Sequence, residues 1–559
     1  MTMNSFAPRT VRRLIAASAV ALLLVGCTAD RQDSAVEDLG EPVASTALVG
    51  ASAAAPTSGE YIADSGFRPT VDGFSFENYG NDGDVVNMRA QDIHALFGDD
   101  VCASGTGPEC RLSSPAVTWM DQVNAAMDGG HCEGMAVMSQ ILHTGAKRPT
   151  DFGAEQTFQI DPSVDLEVYP AIARWFAMQA TEPTMGANLE GLTPAEVVEQ
   201  LERTLPGPRT PENTYTIAIF QADRSGGHAV TPYAIEDRGE GVKWILIYDN
   251  NHPGIPRAIE VDTDADTWSY EAATNPTDDS SLYEGDATTL TLELAPLAAR
   301  LEPQTCPFCA GELDDDVAEL NQLTLTGPGA RLGSTDFYVT DPSGRAFGRR
   351  GGVSLSEIDG GTVTPFLTGL EDDPAPFLGV PAGFSSTVTI AAGDADADDM
   401  VFALVGAGYD AVVRGIDIAA GHEDRIELSQ DGTRLTYVSH AARVPWIEVA
   451  TELVVDDGQV HHYELRVRAT KMAAPGRFGL VSPDGETDVY VVVSEDTTVD
   501  VEVVRYAPDG TETSVAARKV AVPEGAVLDV ELSDWTGDAT LTSHLLGADG
   551  SPTDAVIFR

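Results

Sequence analysis

Between Asp128 and Gly145 the chain reads DGGHCEGMAVMSQILHTG, which predicts a helix that begins at a cysteine. Its apolar side chains recur with helical spacing, at Met135, Met138, Ile141 and Leu142. Two glycines before Cys132 leave the start of this helix open, and Gly145 is a typical helix end. The positive end of a helix dipole favours a thiolate, and its free N–H groups can bind an oxyanion. Cys132 is therefore a candidate nucleophile; the alternative is a buried cysteine that acts as a small apolar residue.

Two further stretches predict a β-hairpin that could carry the base for such a nucleophile. They read SGGHAVTPYAIED at 225–237 and VKWILIYDNNHPG at 242–254, and a short turn joins them. His228 opens the first strand and Asp249 closes the second, so an antiparallel hairpin places the two side by side. A thiolate nucleophile needs a base and a group that orients the base. We predict His228 as the base and Asp249 as the orienting group, with Asn250 as the fallback.

The order of these motifs resembles that of the papain-like cysteine peptidases, a broad group that includes transglutaminase-like and bacteriocin-leader-peptidase-like enzymes. The likeness covers about residues 65–300. It implies an α+β fold, attack by Cys132 on a peptide or amide carbonyl, and proton transfer through His228. Such enzymes often carry an oxyanion-binding Gln or Asn a short distance before the nucleophile, at a position that is Ala126 here. The nearby oxyanion candidates are Gln122 and Asn124.

Cysteine usage suits an exported protein. The six cysteines lie at residues 27, 102, 110, 132, 306 and 309. Cys102 and Cys110 flank a short Gly/Ser/Pro loop that a disulfide can close. Cys306 and Cys309 form Cys-Pro-Phe-Cys, which predicts a second disulfide, with redox exchange or half of a zinc site as the alternatives. Once the first cysteine is assigned to lipid, as described next, Cys132 is the one thiol left over.

The first 27 residues have the pattern of a bacterial lipoprotein signal peptide. Arginines precede an apolar run from Leu14 to Val25, which ends in Leu-Val-Gly-Cys27. The resemblance implies cleavage before Cys27 and acyl chains such as palmitate on that residue; a plain secretory peptide is the alternative. Residues 28–60 are small, polar and aperiodic and predict a disordered linker. We therefore expect an exported protein, lipid-anchored to the outside of the bacterial cytoplasmic membrane or, where there is one, to the outer membrane.

Composition excludes several partners. The chain of 559 residues is too long for one hydrophobic core, and its 88 acidic against 33 basic side chains give a net charge of −55. Such a polyanion repels phosphate, which excludes nucleic acid. Aspartates cluster at Asp262, Asp264 and Asp266, at Asp314, Asp315 and Asp316, and at Asp394, Asp396, Asp398 and Asp399. The first and last clusters lack the glycine and glutamate of an EF-hand calcium loop, so we predict no metal site and no cofactor.

After Cys309 the sequence changes to short strand-like runs separated by turns of the Asp-Gly type. This pattern predicts β-sandwiches rather than βαβ units. The predicted fold is therefore multidomain. A papain-like α+β hydrolase domain at 61–310 precedes two all-β, sandwich-like domains at 312–470 and 475–559.

Two functions remain open from the sequence. The first is a membrane-tethered, extracytoplasmic thiol hydrolase or acyl-transferase with peptide or protein substrates, including those of the cell envelope. The second is a non-catalytic, surface-binding lipoprotein with a degenerate papain-like scaffold and β-sandwich recognition domains. A side-chain amide beside Cys132, and a His228 ring within reach of the thiol, would distinguish the enzyme from the scaffold.

Overall fold

A computed structural model describes residues 60–559 apart from short internal gaps. The gaps are 223, 225, 272–281, 310–319, 332, 370–373, 382–384, 430–433, 455–459, 471, 473–475, 483–487, 508 and 533–534. The predicted signal peptide with Cys27, almost all of the predicted linker, and the aspartates 314–316 therefore lie outside the described residues. The predicted boundary between 310 and 312 lies there too.

The described α-helices all lie in the first part of the chain. They are α1 (Pro69–Asp72), α2 (Ala90–Phe97), α3 (Ser114–Ala126), α4 (Cys132–Thr144), α5 (Val168–Ala177) and α6 (Pro194–Thr204). Helix α4 is the helix that the sequence predicts after the glycine pair, and its residues from Cys132 to Leu142 are all buried. Gly134 lets α4 approach α5, because a Cβ there would lie 2.3 Å from the carbonyl oxygen of Ile172. Among the described helices, none has the length and apolar character needed to span a membrane.

An eight-stranded antiparallel sheet completes this part of the molecule. Its strands, with the separate hairpin β2–β3, are β1 (Ala63–Asp64), β2 (Cys102–Ser104), β3 (Arg111–Leu112), β4 (Tyr215–Phe220), β5 (Gly227–Gly239), β6 (Val242–Tyr248), β7 (Pro256–Asp262), β8 (Thr267–Glu271), β9 (Leu282–Asp286) and β10 (Leu292–Pro296). The strand order is β10-β4-β5-β6-β7-β8-β9, and β1 pairs with β5. The predicted hairpin is β5–β6, with Thr231 opposite Tyr248. Since α4 packs on β5, the start of the helix and the hairpin end that carries His228 meet.

Among the described residues after Cys309, the regular structure is all β. Its strands are β11 (Leu320–Thr326), β12 (Thr335–Thr340), β13 (Ala346–Arg350), β14 (Val353–Ser356), β15 (Thr362–Thr364), β16 (Phe377–Pro381), β17 (Ser386–Ala392), β18 (Ala397–Gly406), β19 (Tyr409–Ile418), β20 (Glu423–Leu428), β21 (Arg434–Ser439), β22 (Trp446–Val454), β23 (Val460–Ala469), β24 (Gly476–Val481), β25 (Asp488–Val493), β26 (Thr497–Tyr506), β27 (Glu512–Val522), β28 (Val527–Glu531), β29 (Leu541–Leu546) and β30 (Pro552–Phe558). They form one nine-stranded and one eleven-stranded sheet. Phe402 and Val413 of the first sheet share a buried apolar core with Ile390 and Tyr437 of the second. The prediction of β-rich, sandwich-like sheets after Cys309 is confirmed.

Both sheets cross the boundary that the sequence places between 470 and 475. Strand β21 pairs with β24 in the eleven-stranded sheet, and β23 pairs with β26 in the nine-stranded sheet. One apolar core also contains buried residues from both sides of the boundary. The two predicted sandwiches are thus corrected to a continuous pair of sheets, because strands on either side hydrogen-bond edge to edge instead of closing separate cores.

Helix α3 joins the first part of the molecule to the nine-stranded sheet. The hydroxyls of Ser114 and Thr118 each donate to the carboxyl group of Asp410, at 2.8 Å. Asp410 is fully buried, and this burial raises its pKa to about 8. The loop that connects β15 and β16 also reaches the first part, where Phe366 stacks on Phe176 with ring centroids 5.7 Å apart. The β-rich part therefore contributes residues close to the predicted nucleophile.

Candidate active site

Cys132 is the first residue of α4 and has no exposed surface. A short turn, Met127–Gly129, leads into it, and Gly130 follows at a φ of 117°, a conformation that favours glycine. The glycine pair thus shapes the entry to the helix, as its position in the sequence suggests. Sγ of Cys132 accepts a hydrogen bond from the backbone N–H of Ala229 at 3.2 Å. This contact ties the thiol to the strand that carries His228.

Both predicted disulfides are present, and Cys132 belongs to neither of them. The Cα atoms are 5.3 Å apart in Cys102–Cys110 and 5.4 Å apart in Cys306–Cys309. Among the described residues, one group of potential metal ligands has its atoms within 4.8 Å of one another; it consists of His94, Cys102 and Cys110. Because those two sulfurs are bonded to each other, they cannot act as thiolate ligands. Cys132 therefore remains the thiol on which chemistry could depend.

His228 lies at the start of β5 with its two ring nitrogens in different surroundings. Nε2 is 2.7 Å from Oδ1 of Asp249. Nδ1 is buried without a hydrogen-bond partner in the described part of the chain. A Cβ placed on Gly369 would lie 2.2 Å from this Nδ1 and 3.0 Å from Cβ of Cys132. The ring thus presents Nδ1 to the side where the thiol lies, and Nε2 to the carboxylate.

Asp249 directly follows β6, is fully buried, and accepts hydrogen bonds on both oxygens. Besides His228, the backbone N–H of Asn251 donates to Oδ1 at 2.8 Å, and the Tyr270 hydroxyl donates to Oδ2. Burial by itself raises the pKa of Asp249, but the nearby imidazoles of His228 and His252 and these donors outweigh burial and hold the pKa below its usual value. An ionised Asp249 can only accept, so the proton between it and His228 belongs to Nε2.

Tyr270 and Arg257 are site residues that the sequence analysis missed. Tyr270 lies on β8, where Trp268 and Tyr270 alternate inward along the strand. Nε of Arg257 donates to the Tyr270 hydroxyl at 3.2 Å, with the guanidinium 5.3 Å from the ring centre. The inward alternation signals a buried tyrosine, but the sequence does not show that its hydroxyl meets Asp249.

Asn250, the fallback orienting group, has a different position. Its Nδ2 donates to the backbone oxygens of Cys132, at 3.1 Å, and of Ala229, at 3.0 Å. Side chains alternate along a strand, so Asn250 points away from the carboxylate face and towards the start of α4. It binds the two backbones together, while Asp249 is the residue in contact with His228.

The two oxyanion candidates on α3 face other parts of the molecule. Oε1 of Gln122 accepts from the hydroxyls of Thr324, at 2.9 Å, and Thr326, at 3.2 Å. Asn124 exchanges two hydrogen bonds with the backbone of Met88. Helix α3 packs against the nine-stranded sheet, and this packing turns Gln122 towards the β-rich part. The prediction that either amide binds an oxyanion at Cys132 is corrected accordingly.

A different amide, Asn78, lies beside the residue that precedes the nucleophile. Oδ1 of Asn78 accepts from the backbone N–H of His131 at 2.7 Å, and its Nδ2 donates to the carbonyl of Thr368 at 2.8 Å. The His131 side chain points away from the site to Tyr79, and burial lowers its pKa to about 4. His131 is therefore neutral near pH 7. Nothing in the local sequence around Asn78 indicates this position.

The arrangement places a thiol at a helix start, an imidazole with one bare nitrogen towards it, and a carboxylate on the other nitrogen. Those are the parts that nucleophilic acyl chemistry needs, since the carboxylate fixes the tautomer in which Nδ1 can take a proton. Comparison of the chain with protein-family models, curated proteins and solved structures gives no match.

Proposed function

We propose that the protein is a thiol hydrolase or acyl-transferase that acts on peptide or amide bonds through Cys132, His228 and Asp249. One observation carries the proposal. The His228 ring is fixed by Asp249 through Nε2 at 2.7 Å, with its bare, buried Nδ1 on the side of Cys132. A histidine held only for packing does not need an ionised carboxylate on one nitrogen and an open, buried nitrogen on the side of a cysteine thiol.

In the proposed reaction, Sγ of Cys132 attacks the carbonyl carbon while Nδ1 of His228 takes the thiol proton. The C–N bond then breaks, His228 returns the proton to the leaving amine, and a thioester remains on Cys132. Water hydrolyses the thioester or an amine accepts the acyl group, which restores the thiol. Backbone N–H groups at the start of α4 stabilise the negative oxygen.

The likeness to papain-like peptidases belongs to this proposal. Supporting it are the central helix α4 with the cysteine at its start, the antiparallel sheet packed on that helix, and the order Cys132, His228, Asp249 along the chain. Export and lipid anchoring through Cys27 also belong to it. Two disulfides are consistent with export, because such bonds persist in oxidising compartments.

One observation favours the second function, a non-catalytic surface-binding lipoprotein. Cys132, His228 and Asp249 are all fully buried, and a loop from the β-rich part lies over them. A scaffold that had lost its activity could be closed in this way. Under this second function, Cys132 would react with acyl donors no faster than the thiol of a free peptide.

Acylation by p-nitrophenyl acetate tests the proposal. We expect a burst of about one nitrophenolate per chain and an acetyl group on Cys132 by mass spectrometry. Cys132→Ala removes the burst, and His228→Ala slows it by about 100-fold, because the general base is lost. The matched control, His422→Ala, removes an exposed histidine of the β-rich part and keeps the wild-type rate. A burst that persists in Cys132→Ala, or an unchanged rate in His228→Ala, would overturn the proposal.

A further inference from the structure

A short segment that follows β15, residues 366–369, lies against the candidate site. The backbone N–H of Leu367 donates to Oε1 of Gln179 at 2.8 Å, and the carbonyl of Thr368 accepts from Nδ2 of Asn78 at 2.8 Å. Leu367 also forms a parallel β-bridge with Gly227. Residues from three separate parts of the first unit therefore hold the backbone of this segment.

The end of the segment is held in the same way. The backbone N–H of Gly369 donates to the carbonyl of Gly227 at 3.2 Å, and its carbonyl accepts from Nδ2 of Asn251 at 2.7 Å. Gly227 precedes His228, and Asn251 follows the Asp249–Asn250 pair. Both partners belong to the hairpin that carries the base, so the segment pairs with the catalytic hairpin itself.

Apolar contacts fix the side chains of the segment. Leu367 is buried in a small cluster with Cys132, Ala136 and Phe220. It packs closely over Gly227, where a Cβ would lie 2.5 Å from Cδ2 of Leu367. The side chain of Leu367 thus occupies an apolar pocket next to the thiol.

Gly369 fits against the nucleophile and the base only because it has no side chain. A Cβ there would lie 2.2 Å from Nδ1 of His228 and 3.0 Å from Cβ of Cys132. Its φ of 76° also favours glycine. The position of the segment nearest the thiol therefore excludes every residue larger than glycine.

We infer that residues 366–369 occupy the peptide-binding groove of the enzyme, and that the groove takes a peptide with glycine at the position nearest Cys132. This inference rests on the proposed function. The residues that hydrogen-bond to the segment recognise its backbone groups, as in strand addition. The pocket for Leu367 and the contacts around Gly369 would select the side chains of a bound peptide. Because the occupant belongs to the same chain, its effective concentration is high and an outside peptide must displace it. The chain thus slows access to its own active site, and a small reagent reacts with Cys132 in wild type only when the segment moves away.

Variants of the segment test the inference on the full chain. In Gly369→Ala the added Cβ displaces the segment, so iodoacetamide should alkylate Cys132 at least about tenfold faster than in wild type, the scale set by overpacking. Gly360→Ala is the matched control, because its φ of 79° carries the same backbone cost and its nearest contact is an ordinary 3.5 Å. It should keep the wild-type rate. Equal rates in Gly369→Ala and wild type would overturn the inference.

A second variant keeps the inference testable if Gly369→Ala does not fold. Leu367→Ala leaves the backbone free of strain and removes the apolar anchor, so it too should speed alkylation while circular dichroism stays native. If both variants fold and neither exposes Cys132, the segment does not cover the site.

Two peptide probes test the glycine position in Gly369→Ala. Acetyl-Phe-Leu-Thr-Gly and acetyl-Phe-Leu-Thr-Ala chloromethyl ketones alkylate a thiol with loss of chloride. We expect the glycine probe to react at least about tenfold faster. Equal rates would contradict the glycine requirement. The double variant Gly369→Ala/His228→Ala separates the claims. If Gly369→Ala reacts faster than wild type and the double variant reacts as fast as Gly369→Ala, the segment covers Cys132 but His228 does not activate it. In that case the proposed function fails while the covering role is kept.

Discussion

At the scale of single residues, the site depends on how Asp249 is held. Three donors reach its carboxylate: the ring of His228, the backbone of Asn251 and the hydroxyl of Tyr270. Together with the neighbouring imidazoles they keep the pKa of Asp249 low in spite of burial. An ionised Asp249 then keeps the proton of neutral His228 on Nε2, which leaves Nδ1 able to act as a base.

Tyr270→Phe tests this arrangement, since it removes the hydroxyl and keeps the ring. Acylation of Cys132 should slow by about fivefold to tenfold. This is the size expected when one hydrogen bond to a charged group is lost and the carboxylate orients His228 less well. Because a donor is lost, the pKa of Asp249 rises towards the value in the unfolded chain, so the variant should lose less folding stability than wild type as the pH falls from 5 to 3. Thermal melting from pH 3 to 7 measures this. Tyr338→Phe, at a buried tyrosine of β12, is the control and should change neither quantity.

The sequence predicted the approach of His228 and Asp249 because it follows from local rules. The short turn of a hairpin determines which residues lie opposite one another. His228 and Asp249 both lie at the end of the hairpin away from the turn. Tyr270 and Asn78 could not be predicted, because their roles depend on where β8 and the first loops pack. Gln122 and Asn124 were predicted from nearness in sequence alone, and the packing of α3 directs them elsewhere.

At the scale of elements, α3 is held to the nine-stranded sheet by a buried acid. Burial raises the pKa of Asp410 to about 8, against an ordinary value of about 4. Between these values the folded chain keeps a proton that the unfolded chain releases. Stability therefore falls as the pH rises from about 4 to about 8. The α3–sheet contact should be firmest in mild acid.

Asp410→Asn removes this titration while it keeps the shape of the side chain. Relative to wild type, the variant should gain about 2 to 5 kcal/mol of folding free energy between pH 5 and pH 8. Urea unfolding at the two pH values measures the gain, with the exposed Asp359→Asn as control. A stability difference that is the same at both pH values would show that Asp410 does not titrate at this contact.

The strands themselves follow from local sequence, but their partners do not. Alternation and Asp-Gly turns mark each strand of the β-rich part. Pairing of β21 with β24 and of β23 with β26 joins strands that other strands separate in sequence, so nothing local specifies it. For this reason the sequence pattern predicts two sandwiches where the structure has two continuous sheets.

At the scale of the whole molecule, the β-rich part supplies both the support of α3 and the segment that lies on the thiol. The two disulfides lie in the first unit or at its end and do not involve Cys132. Residues 366–369, which lie next to Cys132, are more than 200 positions away from it in the sequence. Only the tertiary structure brings the segment and the thiol together.

A count of thiols tests the cysteine assignment. In a chain that begins after Cys27, denaturing, non-reducing conditions should reveal one thiol per chain, and Cys132→Ala should reveal none. Dithiothreitol should raise the wild-type count to five, since both disulfides open. Three or more thiols without reductant would contradict the disulfides, and zero would mean that Cys132 is oxidised or paired.

The central claim is that the imidazole of His228 activates Cys132, and the pH dependence of alkylation tests it most directly. The ratio of iodoacetamide rates at pH 8 and pH 6 cancels any constant effect of the covering segment. An ordinary thiol, with a pKa of about 8.5, slows by about 100-fold over this range. We predict that wild type slows by less than about tenfold, because Nδ1 of His228 takes the thiol proton as Cys132 reacts, and that His228→Ala slows by about 100-fold. The same steep fall in both proteins would contradict the account.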